Sequence, residues 1–181
     1  MTIVTPRLEL VSATVGALAA ALDGPEPLAA HLGAQVLPTW PPEFLDPPAL
    51  RYVMDRVRER PGDLEWWMYF MVLRDEPGGR VLVGSAGYKG PPTDDGTVEV
   101  GYGVVADRRR RGLASEAVGG LLDRAFAEPK VRRVIAETMP ELVGSIGVLR
   151  RCGFRFIGDG SEPGVIRFEL MRRERALPGG R

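Results

Sequence analysis

Four consecutive arginines, Arg108 to Arg111, lead into Gly112, Leu113, Ala114 and Ser115 at the head of a segment with helical spacing. The first N–H groups of a helix lack intrahelical partners and sit at the positive end of its macrodipole, so such a turn receives a phosphate group. Gly112 permits close backbone approach and Ala114 keeps the next turn small. The arginines then supply attraction and exposed charge partners. A solvated charge run and a nucleic-acid patch are the rival readings. Lys+Arg and Asp+Glu balance at 24 each, so the net positive charge that drives attachment to phosphate backbones or anionic membranes is missing. With no second basic cluster and no helix-turn-helix pattern, neither nucleic acid nor membrane is an expected partner.

Other chemistries are restricted by residue type. Cys152 is the only cysteine and His31 the only histidine, so no disulfide forms within the chain and no Cys/His metal cluster can be assembled. Ser-His-Asp and Cys-His catalysis are removed unless His31 acts alone, and no metal is expected. Gly101-Tyr102-Gly103 with Ala106 fits a dinucleotide-binding pattern, but its glycines lie inside a strand rather than at a strand-to-helix turn. No phosphate-loop motif of the G-x-x-x-x-G-K-[ST] kind occurs. The apolar run Ala13 to Leu22 is short and has no basic leader, so a soluble, cytoplasmic protein is expected. Lys89 and Lys130 are the only lysines.

The elements that must carry this loop follow from pattern. Pro6 to Val11 reads as a strand and Thr14 to Leu22 as a short helix stopped by Asp23-Gly24-Pro25. Order then weakens, and the proline-dense stretch from Leu37 to Pro48 precedes a helix from about Ala49 to Arg60. Trp66 to Leu73, Arg80 to Tyr88 and Thr97 to Val105 read as three antiparallel strands joined by hairpins. From Leu113 the apolar residues recur at helical spacing through Phe126, with Gly119-Gly120 inside the helix suggesting close packing. Arg132 to Glu137 is strand-like, and with the strand at 97–105 and the helix at 113–128 it completes a right-handed βαβ unit with parallel outer strands. A helix from Val143 to Cys152 and strands at 154–158 and 165–171 finish the pattern. The length suits one domain over residues 1–175, with 176–181 expected to be a disordered tail.

Arg109-x-x-Gly112-x-Ala114 resembles the acetyl-CoA pyrophosphate signature Q/R-x-x-G-x-G/A of the GNAT superfamily of N-acyltransferases. The surrounding VEVGYGVVADRRRRGLASEAVGGLLDRAF (98–126) is similar to the strand, loop and helix of the ribosomal-protein N-terminal acetyltransferase-like branch. AETMPELVGSIGVLRRCGFRFIG (136–158), TPRLEL (5–10) and VLVGSAGY (81–88) extend the resemblance over nearly the whole chain, thinnest over residues 13–64. Three positions depart from the pattern. Arg110 stands where the family has glycine, Leu142 where it has an asparagine that helps hold the pantetheine arm, and Leu149 where many members carry a tyrosine that protonates the departing thiolate.

The resemblance implies an α/β (α+β) fold, a mixed, mostly antiparallel sheet of about six or seven strands with one splayed parallel pair and about four helices. It implies acetyl-CoA as co-substrate, held by Arg109, Arg110, Arg111, Gly112, Leu113, Ala114 and Ser115 at its phosphates and by strand amides near Val104 and Val105 at its pantetheine. The reaction implied is direct attack of a primary amine of a small molecule or protein N-terminus on the thioester. A neutral amine is then required, at a cost of about 4.6 kcal/mol for a lysine at pH 7 and about 1–1.4 kcal/mol for an α-amino group. Glu99 is the candidate base and Ser145 the candidate acid by that resemblance; pairing with an arginine and orienting a helix are their ordinary alternatives. Tyr102, Trp67 and Trp40, the last as part of a lid, are candidate walls of the acceptor pocket, although a sheet aromatic is also a common core residue. Relatives often pair, so a homodimer is an option. A protein of this fold that binds CoA with little or no turnover is the second reading, carried by Leu142 and Leu149.

Overall fold

The computed structural model describes residues 1–175, and the expected disordered tail at 176–181 lies outside them. A nine-stranded sheet forms the centre. Its strands are β1 (Thr2–Val4), β2 (Leu8–Ser12), β3 (Gln35–Val36), β4 (Met68–Glu76), β5 (Gly79–Tyr88), β6 (Thr97–Val104), β7 (Arg133–Thr138), β8 (Arg155–Asp159) and β9 (Ile166–Met171). The spatial order is β1-β2-β4-β5-β6-β7-β9-β8, with the two-residue β3 pairing parallel to β5. The expected mixed sheet is found, with β6 and β7 parallel and most other pairs antiparallel. The strand count exceeds the expected one because β1 and β3 are only three and two residues long, too short to show a period.

The apolar run of β4 has a simple cause. Tyr69, Met71 and Leu73 enter one core while Met68, Phe70 and Val72 enter another, because successive side chains point to opposite faces. A strand buried on both sides has no polar face to show. Trp66 precedes it at the end of a 3-10 turn, Pro61–Trp66, rather than opening the strand as its aromatic character suggested.

Among the described residues five α-helices cover the two faces: α1 (Val15–Asp23), α2 (Pro25–Leu32), α3 (Pro47–Glu59), α4 (Leu113–Ala127) and α5 (Val143–Arg151). The first three pack through Ala17, Leu18, Leu28, Leu32 and Leu50 on the face that takes Phe70. The last two pack through Leu113, Ala117, Val118, Leu121, Leu122 and Leu149 on the other. Helix α2 stands where order was expected to weaken. Pro25 lies in its first turn, where a missing N–H costs nothing, so the proline starts a helix instead of ending one. Likewise α3 begins at Pro47, capped by Asp46, which accepts from the Ala49 N–H at 2.9 Å.

Of the glycine pair in α4, Gly120 meets the expected close approach. A Cβ there would lie 2.9 Å from Thr5 Cγ2, whereas at Gly119 it would meet nothing within 4 Å. Helix α4 is thus pressed against the β1–β2 turn.

Candidate active site

The parallel pairing of β6 with β7 holds for only three residues, Thr97 to Arg133, Val98 to Val134 and Glu99 to Ile135. Beyond Glu99 the strands part, and a cleft of about 1040 Å³ opens between them. Its walls are Gly101 to Val104 from β6, Glu137 to Met139 from the end of β7, the exposed side of α5 from Val143 to Val148, and the loop Arg108–Arg110 with the first turn of α4.

Edges of β6 alternate in their hydrogen bonding. The Val105 N–H donates to the Val83 carbonyl at 3.0 Å, and the Glu99 carbonyl accepts from the Lys89 N–H at 2.9 Å, so both face β5. With period two, Val104 and Tyr102 then present their backbone to the gap. Of the pair expected to meet a pantetheine, Val104 therefore faces the opening, while Val105 is fully buried with its amide committed elsewhere.

The loop to α4 is built by charge and by backbone conformation. Glu76, mostly buried at the end of β4, pairs with Arg111 at 2.7 Å and with Arg108 at 3.5 Å. Arg109 donates from Nε to the Val104 carbonyl at 3.1 Å and pairs with Glu43 at 3.3 Å. Three of the four arginines therefore tie the loop down. Arg110 has no ion pair among the described residues, and it lines the cleft. It also takes a left-handed conformation with φ 64°, the reason a glycine suits its place. Gly112 is left-handed too, at φ 78°, and caps α4 without any side-chain hydrogen bond.

The first turn of α4 thus faces the cleft with Leu113, Ala114 and Ser115. Arg151 of α5, unsuspected from sequence, also lines it and donates to Ser115 Oγ at 3.2 Å. Its only signal was the pair Arg150-Arg151 in the last turn of a helix. Open space, unspent helix N–H groups and, in Arg110 and Arg151, two arginines with no ion pair among the described residues fit the diphosphate of acetyl-CoA at one end. At the other end a Cβ on Gly101 or Gly144 would meet nothing within 4 Å, leaving room for a chain to pass. Leu142 precedes α5 and lines the cleft but offers no capping hydrogen bond.

Tyr102 crosses the opening to α5. Its O–H can donate to the Ser145 carbonyl at 3.1 Å, and Ser145 Oγ lies 3.1 Å away. Burial pushes the Tyr102 phenol up to about 12, against the lowering effect of Ser145, so it keeps its proton at neutral pH. Leu149, by contrast, is fully buried in the core under α4.

Glu99 is the last paired residue of β6 and does not itself line the cleft, which begins at Gly101; its side chain is 22% exposed and in ion contact with Lys89 Nζ. That contact lacks hydrogen-bond geometry, and Glu99 Oε1 has no hydrogen-bond partner among the described residues. Lys89, missed from sequence, lines the cleft. Glu137 is another missed residue. It is mostly buried, and burial works against its charge, but donors from Ser161 and Arg167 hold its carboxyl below the ordinary value. The Ser161 N–H at 2.9 Å and Oγ at 2.6 Å pin the β8–β9 turn as a lip of the cleft.

Trp40 and Trp67 are not brought to the cleft. Trp40 tilts onto Phe70 with ring centres 5.9 Å apart, and Trp67, 7% exposed, packs edge-on against Tyr52. Both give their area to packing. The segment holding Trp40 does reach the site: Pro42 lies against Gly103, where a Cβ would come within 3.2 Å of it, and Phe44 lines the cleft. Among the described residues no group of three His, Cys, Asp or Glu is placed to hold a metal ion, and no helix is long and apolar enough to cross a membrane.

A sheet parted between two parallel strands, with a helix N-terminus aimed into the gap, defines the class. Residues 25–155 match the family model of the acetyltransferase (GNAT) domain, and the chain belongs to that family as an acyl-CoA-dependent N-acetyltransferase. It is 26% identical over 151 residues to the uncharacterized N-acetyltransferase YjdG of Bacillus subtilis (strain 168), covering 83% of this chain and 87% of that one. Among solved structures, the ribosomal L7/L12 alpha-N-protein acetyltransferase RimL in complex with coenzyme A superposes with a TM-score of 0.66 at 17% identity, over 94% of this chain and 98% of its own. The ribosomal-protein-S5-alanine acetyltransferase from Vibrio fischeri gives 0.65 at 17%, over 95% and 97%. At such identities the likeness is one of fold.

Proposed function

We propose that the chain transfers the acetyl group of acetyl-CoA to a primary amine of a small molecule or a protein N-terminus, by direct attack within the cleft. The observation that carries this reading is the opening of β6 from β7 beyond Glu99, with the uncapped start of α4 at one end and the Tyr102–Ser145 pair at the other. The amides of Leu113, Ala114 and Ser115, with Arg110 and Arg151, would hold the diphosphate, and the gap-facing backbone of Val104 and Tyr102 the pantetheine.

Glu99 would take a proton from the incoming ammonium, directly or through water. The neutral nitrogen then attacks the thioester carbonyl carbon, forming the C–N bond. As the C–S bond breaks, Ser145 would give its proton to the sulfur and regain one from Tyr102, while the second nitrogen proton and the one held by Glu99 pass to solvent, from which Tyr102 is reprotonated. An acceptor α-amino group asks less of the base than a lysine does, by about 3 kcal/mol at pH 7.

The test is release of free CoA thiol from acetyl-CoA with a panel of amino acids, polyamines, aminoglycosides and peptides with free N-termini. Turnover with at least one class, reduced in Glu99→Gln, is expected. Tight acetyl-CoA binding with no turnover on any amine would contradict transfer and favour a binding role.

A further inference from the structure

We infer that Lys89 is itself an acceptor, so that the chain acetylates its own Lys89 in the cleft and thereby releases Glu99. The inference rests on the reading of Glu99 as the base. The base of an amine acetyltransferase acts on an amine, and one amine of the chain already touches Glu99. Lys89 Nζ contacts Glu99, the residue at which β6–β7 pairing ends, and the lysine lines the same cleft as Gly101, Tyr102 and Ser145. Its side chain is 61% exposed, which leaves it free to swing from the carboxylate toward the gap. The backbone of Lys89 is fixed, its N–H donating to the Glu99 carbonyl at 2.9 Å, so the side chain starts from beside the throat. The chain's other lysine, Lys130, lies in the turn after α4, outside the cleft, and serves as an internal control.

The step balances with acetyl-CoA as the one co-reactant. Glu99 accepts a proton from the Lys89 ammonium, the Nζ lone pair attacks the thioester carbon, and the C–N bond forms. The C–S bond breaks with its electron pair going to sulfur, which takes up a proton, and the second nitrogen proton leaves to solvent. The products are an N-ε-acetyl amide and free CoA thiol. An acetylated lysine carries no charge and forms no ion pair. Glu99 is then open to an external ammonium, so the modification converts a self-blocked base into a working one.

The full chain is incubated with acetyl-CoA at neutral pH without any acceptor, and its peptides are followed over time by mass spectrometry at two protein concentrations. One acetyl group on Lys89 is expected, at a rate independent of protein concentration, with Lys130 unmodified. Glu99→Gln should slow the labelling by about 10²-fold. Lys89→Arg should show no labelling. Labelling of Lys89 that rises with protein concentration, that is matched at Lys130, or that is as fast in Glu99→Gln would overturn the inference. The amine panel run on the same preparation separates the failures. Amines acetylated while Lys89 stays untouched sinks this inference alone, whereas neither acetylated sinks the transfer reading with it.

Discussion

Tyr102 of β6 and Ser145 of α5 meet across the open side of the cleft, with phenol and hydroxyl oxygens 3.1 Å apart. Leu149, where the family resemblance leads one to expect a tyrosine, is buried in the core, so the hydroxyls at this wall come from the pair and not from that position. In the proposed mechanism Tyr102 acts as a positioning residue for Ser145, its phenol held up to about 12 by burial and so protonated at neutral pH.

Ser145→Ala should lower kcat by about 10²-fold. Tyr102→Phe should lower it by about tenfold, the value of one hydrogen bond near 1.4 kcal/mol. The double variant should be no worse than Ser145→Ala, because the phenol acts only through the serine. Steady-state thiol release measures all three, and additive losses would separate the two residues.

Arg110 holds a left-handed backbone at φ 64°, a conformation that disfavours side chains, and it has no ion pair among the described residues. Arg110→Gly should raise stability by about 1 kcal/mol. Its Kd for acetyl-CoA should rise only about threefold, the loss of one exposed cation, and that difference should shrink at high salt. Thermal melting and titration calorimetry check both. Arg110→Ala should lose the charge without gaining the stability.

Gly101 faces open space, since a Cβ on it would meet nothing within 4 Å. Gly101→Val should therefore leave the fold intact, with a melting temperature near that of the parent, while filling the cleft. A raised KM for acetyl-CoA or for the acceptor is expected. Unchanged kinetics would place both substrates elsewhere.

Glu116, in the first turn of α4, accepts from Thr5 Oγ1 at 2.6 Å, the Arg7 N–H at 2.7 Å and Arg7 Nε at 2.6 Å. Burial raises its pKa, but these donors outweigh it and hold the carboxyl below the ordinary carboxylate range. A depressed folded pKa contributes stability above the unfolded value near 4.3, and that stability is lost as pH falls through the folded value. Glu116→Gln should cost about 2 kcal/mol at pH 7 and progressively less in acid. Urea unfolding at pH 7 and at pH 3 tests this; an equal cost at both would remove the charge from the argument.

Much of this arrangement was legible in the sequence because it depends on local patterns. The switch from period-two strands to the helical spacing after Leu113 placed β6, α4 and β7, and their order placed the parallel pair. Helix α2 was not legible, because Pro25 reads equally as a stop for α1 and a start for the next helix. Trp40 and Trp67 show a different limit: an aromatic fills a core or a pocket with the same chemistry, and only the fold decides. The partners of the arginine run were hidden for a related reason, as Glu76 and Glu43 reach it from distant parts of the chain. The Lys89–Glu99 contact depended on the register of the β5–β6 hairpin, which the loop from Gly90 to Gly96 sets.

The central claim, that acetyl-CoA enters between β6 and β7 with its diphosphate on the start of α4, is met most directly by a crystal structure of the chain soaked with acetyl-CoA. Phosphate oxygens within hydrogen-bond distance of the Leu113, Ala114 or Ser115 amides, with the thioester between Tyr102 and Glu99, are predicted. A cofactor bound away from the 109–115 turn, or amides there turned from its phosphates, would contradict the account.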